Sequence, residues 1–133
     1  MEIKTYCISI GVVWLTILIT DYVGHRRIFS GMRKKFGEDT PVVEPAPGTV
    51  SWRILAALLY SIFFVQLYTL NFIGTGPTLG MQFGLLVGCL ISIPRLLHRR
   101  VRTPLRWELE IISPLITVAE SGFAGILVGW LFQ

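Results

Sequence analysis

Four long apolar segments, separated by three more polar connections, dominate the pattern of this chain. Positions 54–94 contain no charged residue over 41 consecutive positions, about twice the roughly 20 residues that one transmembrane helix needs. Glycine, proline and polar residues interrupt this run at 71–78, which predicts a tight turn. The segments are too long and too uniformly apolar for the strands of a transmembrane barrel. We therefore predict a single domain, 1–133, that is an all-α bundle of four transmembrane helices at 6–23, 54–72, 79–97 and 111–132.

The composition excludes the soluble alternatives. Hydrophobic residues make up 53% of the 133 residues and charged residues only 15%, whereas a soluble domain carries about 25% charge. A soluble fold of this size buries too little of its surface to hide so much apolar area, and disordered chains are poor in apolar residues. We interpret 6–23 as a retained span rather than a signal peptide, because its apolar stretch is long and no small-residue cleavage site follows it.

The basic residues predict the orientation of the bundle. Eleven of the twelve Lys and Arg residues lie in or beside the connections 24–53 and 98–110, and none lies in the 71–78 turn. Short basic connections stay in the cytoplasm, so both termini are predicted on the non-cytoplasmic side, with the inner membrane of a bacterium as the location. Because the positive charge follows the membrane edges, no nucleic-acid partner is predicted.

The connection after the first helix has two parts. Ile28, Phe29, Met32 and Phe36 recur at helical spacing, which predicts a short amphipathic helix in the headgroup layer. Residues 38–48 are acidic and rich in proline, and we interpret them as a segment that docks on a partner. Anionic phospholipids are predicted to contact the basic residues of both connections, namely Arg26, Arg27, Arg33, Lys34, Lys35, Arg99, Arg100 and Arg102. The alternative is that these residues only anchor the topology.

Small residues form a row with four-residue spacing on each of the last two helices. The rows are Gly80, Gly84, Gly88 and Ser92 on the third helix and Ser121, Gly125 and Gly129 on the fourth. Such rows let helix backbones approach closely in lipid. The two rows either pack on each other within the chain, which we favour, or one of them faces a neighbouring subunit.

Glu120 is the ionisable residue that lies deepest in a predicted span. It follows the start of the fourth span by nine residues, or about 14 Å. An ionised, unpaired carboxylate at this depth costs several kcal/mol, so Glu120 is expected to be neutral or hydrogen-bonded, with Gln66 as its best partner. Glu120 serves either as a hydrogen-bonding link between helices or as a proton or cation site. Asp21 is expected to form a local ion pair with His25, Arg26 or Arg95.

The sequence shows no nucleophile, metal or nucleotide-binding motif, and we predict no catalytic residue, metal or cofactor. The leading hypothesis is a non-catalytic accessory or assembly subunit that joins a larger membrane complex of unlike subunits through its small-residue faces and its Pro-rich connection. The alternative is a small oligomeric transporter or channel with Glu120 as its proton or cation site. A third alternative, haem or metal binding by His25 and His98, is disfavoured because both lie outside the spans.

Overall fold

The computed structural model describes residues 2–28, 31, 35, 49–70, 76–102 and 107–133. Within these residues the chain forms no strand and four long helices, which are α1 (Ile3–Asp21), α2 (Thr49–Leu70), α3 (Pro77–Arg102) and α4 (Trp107–Leu131). A π-helix, Tyr22–Ile28, continues α1. Each of the four long helices is long and apolar enough to cross a membrane. The predicted all-helical class with four spans is therefore confirmed, and the chain has the build of a multi-pass membrane protein.

Every helix begins before the span that hydropathy predicts, because hydrogen bonding along a helix continues into its polar ends. The start of α3 has a clear local cause. Gly76 has a φ of +130°, which favours glycine, and Pro77 then takes the first helical position, where its missing N–H is not needed. The Gly80 amide donates to the Gly76 carbonyl over 3.1 Å and closes the first turn. Most of the predicted interfacial helix and all of 38–48 lie outside the described residues.

Helices α3 and α4 pack backbone against backbone along a row of glycines that we call the glycine seam. Its members are Gly80, Gly84 and Gly88 on α3 and Gly122, Gly125 and Gly129 on α4. A Cβ atom built at Gly84 would lie 2.9 Å from the Gly122 Cα, and one built at Gly80 would lie 2.9 Å from the Gly129 Cα. Real Cβ atoms do not approach backbone so closely, so only glycine permits this helix separation.

Helix α2 packs by the opposite means, through a group of rings that we call the aromatic seam. Its members are Tyr60, Phe64 and Tyr68 on α2, Phe83 on α3 and Phe132 just after α4. Phe83 meets both Phe64 and Tyr68 edge to face, with ring centroids 5.2 and 5.3 Å apart, a favourable geometry for aromatic pairs. This seam adjoins the buried core, to which α1 and α4 also contribute through Val13 and Val128.

Helix α1 contacts α2 and α4, and the buried hydroxyl groups of Ser9 and Thr16 are satisfied within the helix. The hydroxyls of Ser9 and Thr16 donate to the carbonyls four residues earlier in the helix, each over 2.8 Å. Such bonds are needed where no water reaches the polar group. The Trp14 indole donates to the Ile54 carbonyl of α2 over 3.3 Å, so α1 and α2 are also joined by a polar contact.

Candidate functional site

A cavity of about 440 Å³ with both polar and apolar lining lies between the four helices. Its polar lining consists of four ionisable side chains, Asp21, Arg53, Arg95 and Glu120, together with three hydroxyl groups, and its apolar lining consists of isoleucines and alanines. The full lining is Ile17, Asp21, Arg53, Ala56, Ala57, Tyr60, Ile91, Arg95, Thr117, Glu120 and Ser121. Because all four helices contribute to it, this cavity exists only in the assembled bundle.

The cavity lining has two parts, which we call the mouth and the floor. Arg53 and Arg95 form the mouth, since each lies within three residues of the end of its span that adjoins a basic connection, a rise of about 5 Å or less. Asp21, Tyr60 and Glu120 form the floor, and Asp21 is level with Glu120 because the end of α1 packs against α4 where Gly24 meets Ile116. Both guanidinium side chains of the mouth are exposed, whereas Glu120 and Tyr60 are half-buried.

Glu120 lies against the end of α1. Its carboxyl group lies beside the Thr20 hydroxyl and near the carboxyl group of Asp21. The Thr20 hydroxyl is also 2.7 Å from the Thr16 carbonyl. A hydroxyl has one proton to donate and lone pairs that accept, so Thr20 can accept from a protonated Glu120 or turn its own proton toward an ionised one. The floor can therefore hold Glu120 in either protonation state.

Tyr60 joins the floor to both α4 and the mouth. Its hydroxyl is 3.0 Å from the Ser121 hydroxyl, a hydrogen bond between α2 and α4. The same hydroxyl lies within electrostatic reach of Glu120 and of Arg95. The phenol therefore lies near both the Glu120 carboxyl group and one basic group of the mouth.

The cavity exists because the side chains of α2 differ in size along the helix. At Phe64 and Tyr68 the aromatic seam fills the space between α2, α3 and α4. About two turns earlier, α2 presents Ala56 and Ala57 to the same space, and their methyl groups do not fill it. Packing that is tight at one end of the bundle thus leaves an open chamber at the other.

The structure places the two predicted rows of small residues inside the chain. Gly80, Gly84 and Gly88 face α4, and Gly125 and Gly129 face α3. The rows continue toward the mouth, where the Ser92 hydroxyl contacts the Pro114 carbonyl at 3.5 Å. Ser121 belongs to both features, because it adjoins the glycine seam and its hydroxyl reaches Tyr60.

The predicted partnership between Glu120 and Gln66 is wrong. The Gln66 side-chain oxygen accepts a 2.6 Å hydrogen bond from the Tyr6 hydroxyl, at the end of the bundle remote from the cavity. Thr20 and Asp21 take its place beside Glu120. The direction of side chains on a helix could have indicated this, since they lean toward the helix N-terminus, which on α4 is the mouth end.

Several other predicted residues lie at the edge of the described structure. Arg27, Lys35 and His98 are exposed. The side chains of His25, Arg26, Arg33, Lys34, Arg99, Arg100 and Arg102 fall outside what the structure describes, so their predicted lipid or metal contacts stay predictions. Among the described residues, no three His, Cys, Asp or Glu side chains are grouped as metal ligands would be.

Comparison of the chain with known protein families, curated proteins and solved structures found no match.

Proposed function

We propose that this protein is a small transporter or channel, oligomeric in the membrane, in which Glu120 is the intramembrane proton or cation site. The observation that carries the proposal is the cavity between the four helices, with the Glu120 carboxyl group on its floor and the exposed guanidinium groups of Arg53 and Arg95 at its mouth. Ionisable residues within membrane spans are costly, face the interior of the bundle and mark pathways for ions or substrates.

The surroundings of Glu120 suit a carboxyl group that binds and releases a proton or a cation. Thr20 can stabilise both protonation states of the carboxyl group, because its hydroxyl either accepts or donates. Asp21 connects Glu120 to the mouth, as a relay of ionisable groups requires. Glu120 would play a purely structural role if it were enclosed, but it lines a chamber large enough to hold several water molecules.

Proton flux into reconstituted vesicles tests this proposal. The wild-type protein, placed in vesicles that contain a pH-sensitive dye, is given a potassium diffusion potential, and Glu120→Gln is compared with it. We expect Glu120→Gln to reduce flux at least tenfold while the protein stays folded, since the amide preserves shape and removes the titratable proton. Glu2→Gln is the matched control, because Glu2 precedes α1 and is exposed, and it should conduct like the wild type. Flux equal to that of empty vesicles from the wild type, or unchanged flux from Glu120→Gln, would contradict the proposal.

We propose further that the mouth opens to the cytoplasm of a bacterium, with both termini outside the inner membrane. The support is the concentration of Lys and Arg in the connections 24–53 and 98–110. Lys35→Cys, in a background without Cys7 and Cys89, should react with a membrane-impermeant maleimide only after the cells are opened. Glu2→Cys should react in intact spheroplasts, and the reverse pattern would contradict this orientation.

The second candidate function is the accessory or assembly subunit favoured by the sequence. Its support is the acidic, Pro-rich segment 38–48, which is longer than a connection between adjacent helices needs. The small-residue rows no longer support it, since they are used within the chain. Purification in mild detergent separates the two candidates. An unlike membrane subunit at fixed stoichiometry, lost on deletion of 38–48, supports the accessory role, and a homo-oligomer alone contradicts it.

A further inference from the structure

We infer that the cavity is a one-sided vestibule, closed toward the opposite end of the bundle by an apolar plug from all four helices, so that an ion crosses only when this plug opens. The inference rests on the proposed function, because it concerns the regulation of the same site. It narrows that function from a transporter or channel to a gated transporter without a standing water-filled pore.

The apolar plug is a group of side chains that pack against one another in the half of the bundle away from the mouth. Its buried members are Val13 on α1, Phe64, Val65 and Tyr68 on α2, and Ala124 and Val128 on α4, and Phe83 and Val87 of α3 pack against them. All six buried members are closed to solvent, since even Tyr68, the most accessible of them, is only 4% exposed. Apolar constrictions stop ion flow by excluding water.

On every helix the apolar plug lies farther from the basic connections than the residues that line the cavity. The last lining residue and the first plug residue are Ile17 and Val13 on α1, Tyr60 and Phe64 on α2, Ile91 and Val87 on α3, and Ser121 and Ala124 on α4. The two members of each pair are three or four positions apart, which is about one helical turn. The same boundary between lining and plug therefore recurs on all four helices.

The apolar plug adjoins the cavity directly. Ile17 and Tyr60 line the cavity and also pack against the buried cluster. The Tyr60 hydroxyl is 3.0 Å from the Ser121 hydroxyl at the floor, while its ring centroid is 5.8 Å from that of Phe64. Tyr60 thus has its polar end in the cavity and its ring against the plug.

Phe64 is the residue on which the closure depends most. Its ring contacts Tyr60 at the floor and Phe83 of α3, with centroids 5.8 and 5.2 Å apart, so it spans the space between α2 and α3. On α4 the plug extends from Ala124 to Val128, a rise of about 6 Å. An ion that left its water to cross this layer would meet apolar side chains, which is costly.

Two matched single-cysteine variants test the inference. Ala57→Cys places a thiol in the cavity lining and Ala124→Cys places one in the apolar plug, and both alanines are buried. Each variant, in a background without Cys7 and Cys89, is held in nanodiscs, whose two faces are open to solvent. It is treated with the membrane-impermeant 2-(trimethylammonio)ethyl methanethiosulfonate, and modification is followed by mass spectrometry. We expect Ala57→Cys to react at least tenfold faster than Ala124→Cys, and both to react fully in SDS.

Removal of the Phe64 ring should open the apolar plug. We expect Phe64→Ala to raise the reaction rate of Ala124→Cys at least tenfold and to raise proton flux in vesicles above that of the wild type. Phe63→Ala, on the outward face of α2, is the matched control and should change neither. If Phe64→Ala does not fold, the comparison of Ala57→Cys with Ala124→Cys decides the inference alone.

Three results would overturn the inference. They are a reaction of Ala124→Cys as fast as that of Ala57→Cys, no reaction of either thiol in nanodiscs, and a folded Phe64→Ala that leaves both thiol reactivity and flux unchanged. Equal reactivity together with Glu120-dependent flux would overturn the plug and leave the proposed function standing as an open channel. Unequal reactivity without Glu120-dependent flux would overturn the proposed function instead, so the two failures are distinguishable.

Discussion

The glycine seam and the aromatic seam join the same bundle by opposite means. In the glycine seam the backbones of α3 and α4 touch, and no side chain fits between them. In the aromatic seam α2 is held away from its neighbours by rings such as Phe64 and Phe83, whose centroids are 5.2 Å apart. Lipid tails are as apolar as these side chains, so both seams depend on packing contacts rather than on escape from water.

The contrast explains where the protein can hold a ligand. Backbone contact along the glycine seam leaves no space between α3 and α4 for a ligand. Packing through side chains depends on their size. Phe64 fills the space between α2 and its neighbours, whereas at Ala57, two turns earlier on α2, that space stays open. The site is therefore expected on the side of the bundle where α1 and α2 meet the α3–α4 pair.

The largest effect is expected from a side chain placed in the glycine seam. At Gly84, a Cβ would lie 2.8 Å from the carbonyl carbon of Ser121, and a backbone atom cannot rotate away. Overpacking costs roughly 1–3 kcal/mol in ordinary cores. For Gly84→Leu we expect the free energy of unfolding, from a titration with SDS followed by circular dichroism, to fall by more than about 3 kcal/mol, because the helix backbones must separate.

Gly11→Leu is the matched control for this change. A Cβ at Gly11, on α1, has no atom within 4 Å, so the same substitution should change the free energy of unfolding by about 0.5 kcal/mol or less. Equal losses at Gly84 and Gly11 would show that close backbone contact does not determine the stability of this pair.

An intermediate effect is expected from removing a ring of the aromatic seam. Phe64 is 1% exposed, while its neighbour Phe63 is 65% exposed. Phe→Ala costs roughly 3–5 kcal/mol in soluble cores, but lipid removes the transfer contribution, so we expect Phe64→Ala to lose about 2 kcal/mol in the same SDS titration. Phe63→Ala, which faces outward, should leave stability nearly unchanged. Similar losses for the two variants would mean that the outward face of α2 is packed as tightly as its inward face.

The smallest effect is expected from the hydrogen bond that joins α2 to α4 at the cavity floor. Tyr60→Phe and Ser121→Ala each remove one partner of the 3.0 Å contact. Interhelical hydrogen bonds in membranes contribute about 0.6 kcal/mol on average, and the double-mutant cycle from the same titration should give a coupling energy of that size. A coupling energy of zero would indicate that the floor is held by packing alone.

The sequence predicted the four spans and the position of Glu120 within the last of them because both depend on local properties. A span is recognised from about 20 consecutive apolar residues, and the rise of a helix converts residue number into depth. The spacing of Gly80, Gly84 and Gly88 likewise placed them on one face of α3. These features follow from the chain itself, whatever its neighbours are.

Only the tertiary structure decided which faces meet. The sequence left open whether the glycine rows face each other or another subunit, and it paired Glu120 with Gln66 rather than with Thr20 and Asp21. The physical reason is that lipid and protein interior are equally apolar, so hydropathy does not distinguish an inward face from an outward one. The cavity depends on how four helices are placed relative to one another, and no single segment carries that information.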